Sequence, residues 1–253
     1  LIIESLARLL AAVVLLRLVH DAASLGWAMV FGGFAVLALG WWRHDSGVPQ
    51  ESSAPASKFL SGYVVGTSSA QLLLAGAPLA VAALGGSPAL VSIIFVTFTL
   101  YRAPLTLIFS LQGRILPYLV GLAREANHGQ LVRITTRVVL GGVALALAGA
   151  AVGWLVGPEV VGLLYGQEYA PSATVAMFAA GGVMAASAAQ VASQVLVAEG
   201  RTSRLSWAWL GGLVVAIVVI LLAGGEPDTR VAVAFAAGEV SALGLMAYLA
   251  IRR

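Results

Sequence analysis

The chain reads as an all-α protein, a polytopic transmembrane helical bundle of about eight spans, and three observations predict it. Of its 253 residues, 60% are hydrophobic and only 10% charged, whereas a soluble domain carries ~25% charged residues. That balance excludes a water-soluble globule. The apolar residues come in continuous runs of helical span length, near the ~20 residues that a bilayer core requires, and not as the ~10-residue alternating strands of an outer-membrane barrel. The cations fall in alternate connections between those runs, as the positive-inside rule demands of a multi-pass protein.

The runs lie at 3–19, 24–42, 59–84, 88–111, 135–156, 171–197, 205–223 and 230–251 and are called a to h. In span a, Arg8 and Arg17 each lie within reach of a membrane surface and read as snorkelling cations. Span b ends on Trp41 and Trp42 before Arg43, an aromatic anchor at the interface. The following segment, 43–58 (RHDSGVPQESSAPASK), is rich in Ser, Pro and Ala and reads as a flexible linker. In span c, Thr67, Ser68 and Gln71 share a side with Pro78, so a polar patch precedes a kink. In span d, Ser92, Thr99, Arg102, Thr106 and Ser110 fall within one arc of about 80° at 100° per residue. A charge at mid-membrane costs about 2.5–3.5 kcal/mol on insertion scales, so this stripe is either held by hydrogen bonds to neighbouring helices or forms a cavity wall that binds an anion. Spans c and d together are placed to line one cavity.

Span e carries Gly149, Gly153 and Gly157 at small-xxx-small spacing, which permits close backbone approach. In span f, Ser187, Gln190 and Gln194 share one face and read as hydrogen-bonding glue between helices. Glu239 lies near the middle of span h and reads either as an ion-coupling carboxylate or as the structural partner of an arginine. The cations Arg43, Lys58, Arg114, Arg124, Arg133, Arg137, Arg201, Arg204, Arg252 and Arg253 then mark the b–c, d–e and f–g connections and the C-terminus as cytoplasmic. Asp21, Glu159, Glu168, Glu226 and Asp228 mark the opposite side. Three domains follow: 1–42 as the last two helices of a first lobe, 43–58 as a cytoplasmic linker, and 59–253 as a six-helix lobe. The chain opens on Leu1 inside an apolar run and reads as lacking an N-terminal part.

The pI near 9.6 does not indicate a nucleic-acid partner, because the cations are scattered between apolar runs and not gathered on one water-facing surface. The absence of Cys excludes disulfides and thiolate metal sites. No G-x-x-x-x-G-K, G-x-G-x-x-G, H-E-x-x-H or G-x-S-x-G occurs, and His20, His44 and His128 read as separate solvated loop residues. Neither a metal nor a cofactor is expected, and no catalytic residue.

The stretch FVTFTLYRAPLTLIFSLQGRILPYLVGLAREANHG, residues 95–129, resembles the eighth span and following loop of polysaccharide flippases in the multidrug/oligosaccharidyl-lipid/polysaccharide exporter superfamily, through Arg102-Ala103-Pro104 and Leu116-Pro117. VGPEVVGLLYGQEYAPS, residues 156–172, is similar to that family's outer loop between spans nine and ten, and AEGRTSR, residues 198–204, to the loop after span ten. The resemblance implies that c to h are the C-terminal six-helix lobe of a two-lobe transporter, with a and b the last two helices of the first lobe and the remainder of that lobe missing from this chain. It implies a multi-pass protein of the cytoplasmic membrane that flips polyprenyl-phosphate-linked oligosaccharide by alternating access, for cell-surface polysaccharide biosynthesis. Its partners would be that substrate, membrane lipids and the missing lobe.

The expected substrate-binding residues are Arg102, Thr99, Thr106, Gln71 and Ser68, with Glu239 for ion coupling. Two rival readings share the chain: a cation-coupled multidrug exporter or cell-wall precursor flippase of the same superfamily, and a polytopic membrane glycosyltransferase or polymerase. Drug exporters call for cavity carboxylates, and the enzyme for a large outer loop.

Overall fold

The computed structural model describes residues 53–125 and 128–251. Spans a and b, residues 43–52 of the predicted linker, His20, His44, Arg252 and Arg253 lie outside the described residues. Within them the chain forms eight α-helices: α1 (Ser53–Ala75), α2 (Ala77–Ala83), α3 (Pro88–Tyr101), α4 (Ala103–Arg124), α5 (His128–Tyr165), α6 (Ala173–Ala198), α7 (Thr202–Leu222) and α8 (Pro227–Ile251), with a 3₁₀ turn at Gln167–Tyr169. These helices belong to one compact unit. Helices α4 to α8 are each long and apolar enough to cross a membrane, and α1 with α2 makes a sixth as a single span bent by 65°. The protein is an all-helical, multi-pass membrane bundle.

The bend between α1 and α2 falls where span c was expected to kink. Pro78 sits in the first turn of α2, a position that tolerates its missing N–H, and the chain turns at Gly76. Span d, expected as one helix, is two. Pro104 cannot donate to Leu100, so the ladder opens at Arg102, whose N–H donates to the Phe98 carbonyl at 3.1 Å while its own carbonyl accepts from Leu105 at 2.9 Å. Serine caps start the helices on either side of the bundle: Ser87 accepts from the Leu90 N–H and Ser172 from the Val175 N–H, both at 3.3 Å.

Several expected loops are helical instead. Helix α4 runs on to Arg124 and α5 begins at His128, so the basic d–e connection shrinks to a few residues, and α5 spans 38 residues through Pro158 to Tyr165. Residues 53–58 of the expected linker form the first turns of α1. The reason is common to all three. Polarity ends a membrane span, because charged side chains leave hydrocarbon, but it does not end a helix, whose backbone bonds continue into water and whose Arg, Gln and Leu residues are good helix formers.

Helix α6 is the axis of the bundle. It is rich in Ala and Gly, and nearly all of its length is buried against α5, α8, α4 and α3. Lipid tails are as apolar as leucine, so helices in a membrane associate through close packing of small residues rather than through the hydrophobic effect. The glycines of span e bear this out. A Cβ at Gly153 would stand 2.5 Å from the Ala176 carbonyl oxygen, and one at Gly149 would stand 2.7 Å from Met184 and 3.2 Å from the Ala180 carbonyl oxygen. The outward faces carry Leu140, Leu147, Leu155, Leu221 and Leu222 in the open, as a lipid-facing surface requires.

Helices α7 and α8 are antiparallel and clasped at both ends. Arg204 donates to the Leu249 carbonyl at 2.9 Å near the start of α7, and Arg230 donates to the Ile220 carbonyl near its end. A cation beside a helix C-terminus also complements the helix dipole there. Thr202 ties the same start of α7 to α1 by donating to the Phe59 carbonyl at 2.8 Å.

Candidate functional site

Two polar features interrupt the apolar bundle. The first is a buried charge layer. Arg102, held at the α3–α4 junction by the Pro104 break, is half-buried, with its Cζ 5.7 Å from the Phe98 ring centroid. Phe98 meets Phe235 of α8 edge-on at 4.9 Å, and Glu239 follows Phe235 by one helical turn. Phe235 reaches this position because Gly182 of α6 has no side chain: a Cβ there would lie 2.6 Å from the ring. Glu239 is fully buried, at 0% exposure, and neither carboxylate oxygen finds a hydrogen-bond partner among the described residues.

Arg102 Nε and Nη2 are equally without partners there. The guanidinium and the carboxylate interact electrostatically, but no hydrogen bond joins them. Two further buried hydroxyls, Thr97 Oγ1 and Tyr101 Oη, lack hydrogen-bond partners among the described residues; sequence reasoning missed both although Tyr101 adjoins Arg102. Buried polar groups are almost always hydrogen-bonded, so these four residues mark places where packing alone was not the requirement.

An expected result follows for Glu239. Replacing a carboxylate that accepts no hydrogen bond strands no donor, so Glu239→Gln should leave membrane abundance within about twofold of wild type. Quantitative immunoblotting of membranes checks this; a collapse would mean that the carboxylate holds the fold together.

The second feature is a cavity of about 270 Å³ bounded by α1, α4, α6 and α7. Gln71 of α1, Gln112 of α4, and Gln190, Ser193 and Gln194 of α6 supply its polar wall, with Tyr63, Phe109 and Trp209 as aromatic neighbours. Spans c and d do line one cavity, as expected, but with Gln71, Phe109 and Gln112, and not with the arginine stripe. Among the described residues, the polar face of span f makes no hydrogen bond to a neighbouring helix. Ser187 donates back to the Val183 carbonyl of its own helix at 2.8 Å. Gln194 reaches only the Gln190 carbonyl and Ser193 of its own helix. The Gln190 side chain is free to face the cavity.

The remaining expected residues are exposed. Ser68 and Gln71 on α1 are open and, with Thr67 and Leu72, line a surface groove along that helix. Ser92, Thr99, Thr106 and Ser110 are likewise exposed along α3 and α4. Each of their hydroxyls is satisfied within its own helix: Ser92 donates to Pro88, Thr99 to Phe95, Thr106 to Ala103 and Ser110 to Thr106, at 2.7–2.9 Å. Among the described residues none of them bonds to a neighbouring helix. This arrangement lets a serine or threonine sit in a span at little cost while its oxygen still presents a lone pair outward.

At the basic end, His128 was expected to be a lone solvated residue. Its Nδ1 lies 3.3 Å from Glu199 Oε1, and Arg201 Nη1 lies 3.0 Å from Glu199 Oε2. Gly200, with φ +70°, makes this possible. Only a left-handed residue closes α6 so that the Arg201 N–H returns to the Leu196 carbonyl at 2.8 Å, which leaves Glu199 and Arg201 side by side.

No family profile, no curated protein and no solved structure matches the chain. The fold and its site define a class nonetheless: a multi-pass helical membrane protein with polar groups at span depth that the described helices do not satisfy.

Proposed function

We propose that the protein is a membrane transporter that flips polyprenyl-phosphate-linked oligosaccharide across the cell membrane by alternating access, in the assembly of cell-surface polysaccharide. The observation that carries this reading is a set of polar residues exposed at span depth: Ser68 and Gln71 on α1, Thr99 on α3 and Thr106 on α4, with half-buried Arg102 at the α3–α4 junction. Such a set is unfavourable against lipid and becomes useful as one wall of a wet cavity closed by a second lobe. A sugar-phosphate head group needs that kind of cavity, with a cation for the phosphate and hydroxyls and amides for the sugar, while its polyprenyl tail stays in the bilayer. The resemblance around Arg102-Ala103-Pro104 points the same way.

The multidrug reading has less support. Among the described residues the carboxylate deep in a span is Glu239, and it is sealed from any cationic drug. The enzyme reading has less still, because the outer e–f connection, expected as a loop, is largely helix.

Deleting the intact gene tests the proposal. Surface polysaccharide should fall and its lipid-linked precursor should accumulate on the cytoplasmic side. Unaltered polysaccharide with no accumulation would remove the flippase reading. Orientation is tested separately: Gly129→Cys, at the basic end, should resist an impermeant thiol reagent in intact cells, whereas Gln167→Cys should label. Ready labelling at position 129 would reverse the direction of transport assigned here.

A further inference from the structure

We infer that the cavity between α1, α4, α6 and α7 is a binding site for a single uncharged sugar ring. The inference rests on the flippase reading for where the sugar comes from, but not for its chemistry. Four carboxamides, Gln71, Gln112, Gln190 and Gln194, converge on the cavity with Ser193, and among the described residues no Arg, Lys, His, Asp or Glu lines it. The wall therefore offers hydrogen-bond donors and acceptors but no charge, which suits hydroxyl and acetamido groups and gives no counter-ion to a phosphate or a uronate.

Two of the amides are available. Gln190 is 8% exposed, and among the described residues its side chain makes no hydrogen bond and the buried Gln112 Nε2 has no partner. A buried amide left unmade costs about 1–3 kcal/mol, so such a set points to an occupant. Tyr63, Phe109 and Trp209 supply apolar faces for the C–H surface of a pyranose. The volume, about 270 Å³, equals roughly nine waters at ~30 Å³ each, room for one ring and too little for two.

Its position gives the site a role. Tyr63 lies just after Lys58, and Leu205, another lining residue, follows Arg204, so the cavity lies towards the basic end. In the orientation proposed above, that is the cytoplasmic side, where a lipid-linked sugar is loaded. Half-buried Arg102 then takes the phosphate and this cavity takes a neutral sugar of the same head group.

The test is equilibrium dialysis of the purified full-length protein in lipid nanodiscs against radiolabelled N-acetylglucosamine and glucose, with glucuronate and glucose 1-phosphate as charged contrasts. At least one neutral sugar should bind saturably in the millimolar range, the strength that about a dozen non-hydrogen atoms supply at modest ligand efficiency. The charged sugars should bind at least roughly tenfold more weakly, since each would bring an unpaired charge into a neutral wall. Gln190→Leu and Gln112→Leu, on different helices, should each weaken neutral-sugar binding about tenfold or more, the loss of one to two buried hydrogen bonds, at an unchanged melting temperature.

Should Gln190→Leu unfold the protein, the half-buried Gln112→Leu carries the test alone. No saturable binding of either neutral sugar, equal binding of the charged ones, or binding indifferent to the variants would each overturn the inference and leave the cavity to water. Sugar binding lost in the variants, in a protein whose deletion leaves polysaccharide export intact, would keep the site and remove the flippase reading. Export that depends on the gene, with no neutral-sugar binding, would do the opposite.

Discussion

Arg102→Ala should abolish export of the lipid-linked saccharide while the protein remains in the membrane at near wild-type abundance. Two of the guanidinium nitrogens make no hydrogen bond among the described residues, so their removal breaks no hydrogen-bonded framework, and loss of a charge at membrane depth can even ease insertion. What disappears is a planar fork able to grip two phosphate oxygens at once. At ~1.5–3 kcal/mol for each charge-assisted hydrogen bond, transport should fall roughly ten- to a hundredfold or more. Arg102→Lys, a point charge on a flexible stem, should recover only part of the rate.

The neighbouring Glu239 sharpens the measurement. With the arginine gone, the buried carboxylate loses the charge that it senses, so any loss of abundance in Arg102→Ala should be reversed by adding Glu239→Gln, whereas lost export should not be. Abundance and export measured for both singles and the double separate the two contributions. Wild-type export by Arg102→Ala at wild-type abundance would take this residue out of the site.

The second large effect is structural. Gly153→Leu should collapse the bundle, because its first side-chain atom would meet the Ala176 carbonyl oxygen at 2.5 Å and the carbonyl carbon at 2.9 Å, and backbone cannot move aside as a flexible side chain does. Overpacking of this kind costs about 1–3 kcal/mol even where side chains can yield, so a fall in melting temperature of several degrees or more and loss of monodisperse protein in detergent are expected. Gly141→Leu is the control. It lies on the same helix, nothing stands within 4 Å of its Cβ, and it should be neutral or slightly stabilising, since Leu is the better helix former. Equal behaviour of the two variants would contradict the α5–α6 contact.

Spans c, e, f, g and h were legible because hydrocarbon imposes its own length on apolar runs, and the kink at Pro78 because a missing N–H acts locally; the break at Pro104 splits what reads in the sequence as one helix. Helix ends were not legible where charged residues begin. Arg114, Arg124 and Arg133 leave the membrane without leaving the helix, and hydropathy sees only the first event.

Of the site, the polar character of Gln71, Thr99, Arg102, Thr106 and Glu239 could be read from single residues at span depth. Their grouping could not. Arg102 and Glu239 come into one layer only because Phe98 and Phe235 meet across α3 and α8, and Gly182 gives that ring its place. The Gln190 face was misread as glue for a similar reason: helical periodicity says that residues share a face, but not whether the face meets another helix or a void.

The central claim is transport of a lipid-linked saccharide, and its most direct measurement is flipping by the purified full-length protein in proteoliposomes. A polyprenyl-phosphate-linked oligosaccharide is placed in both leaflets, and an impermeant glycosidase added outside reports which molecules are reachable. Wild-type protein should make the inner-leaflet fraction accessible, and Arg102→Ala vesicles should protect it as protein-free vesicles do. Continued protection of the inner leaflet by active, correctly folded wild-type protein, or equal access with Arg102→Ala, would contradict the assignment.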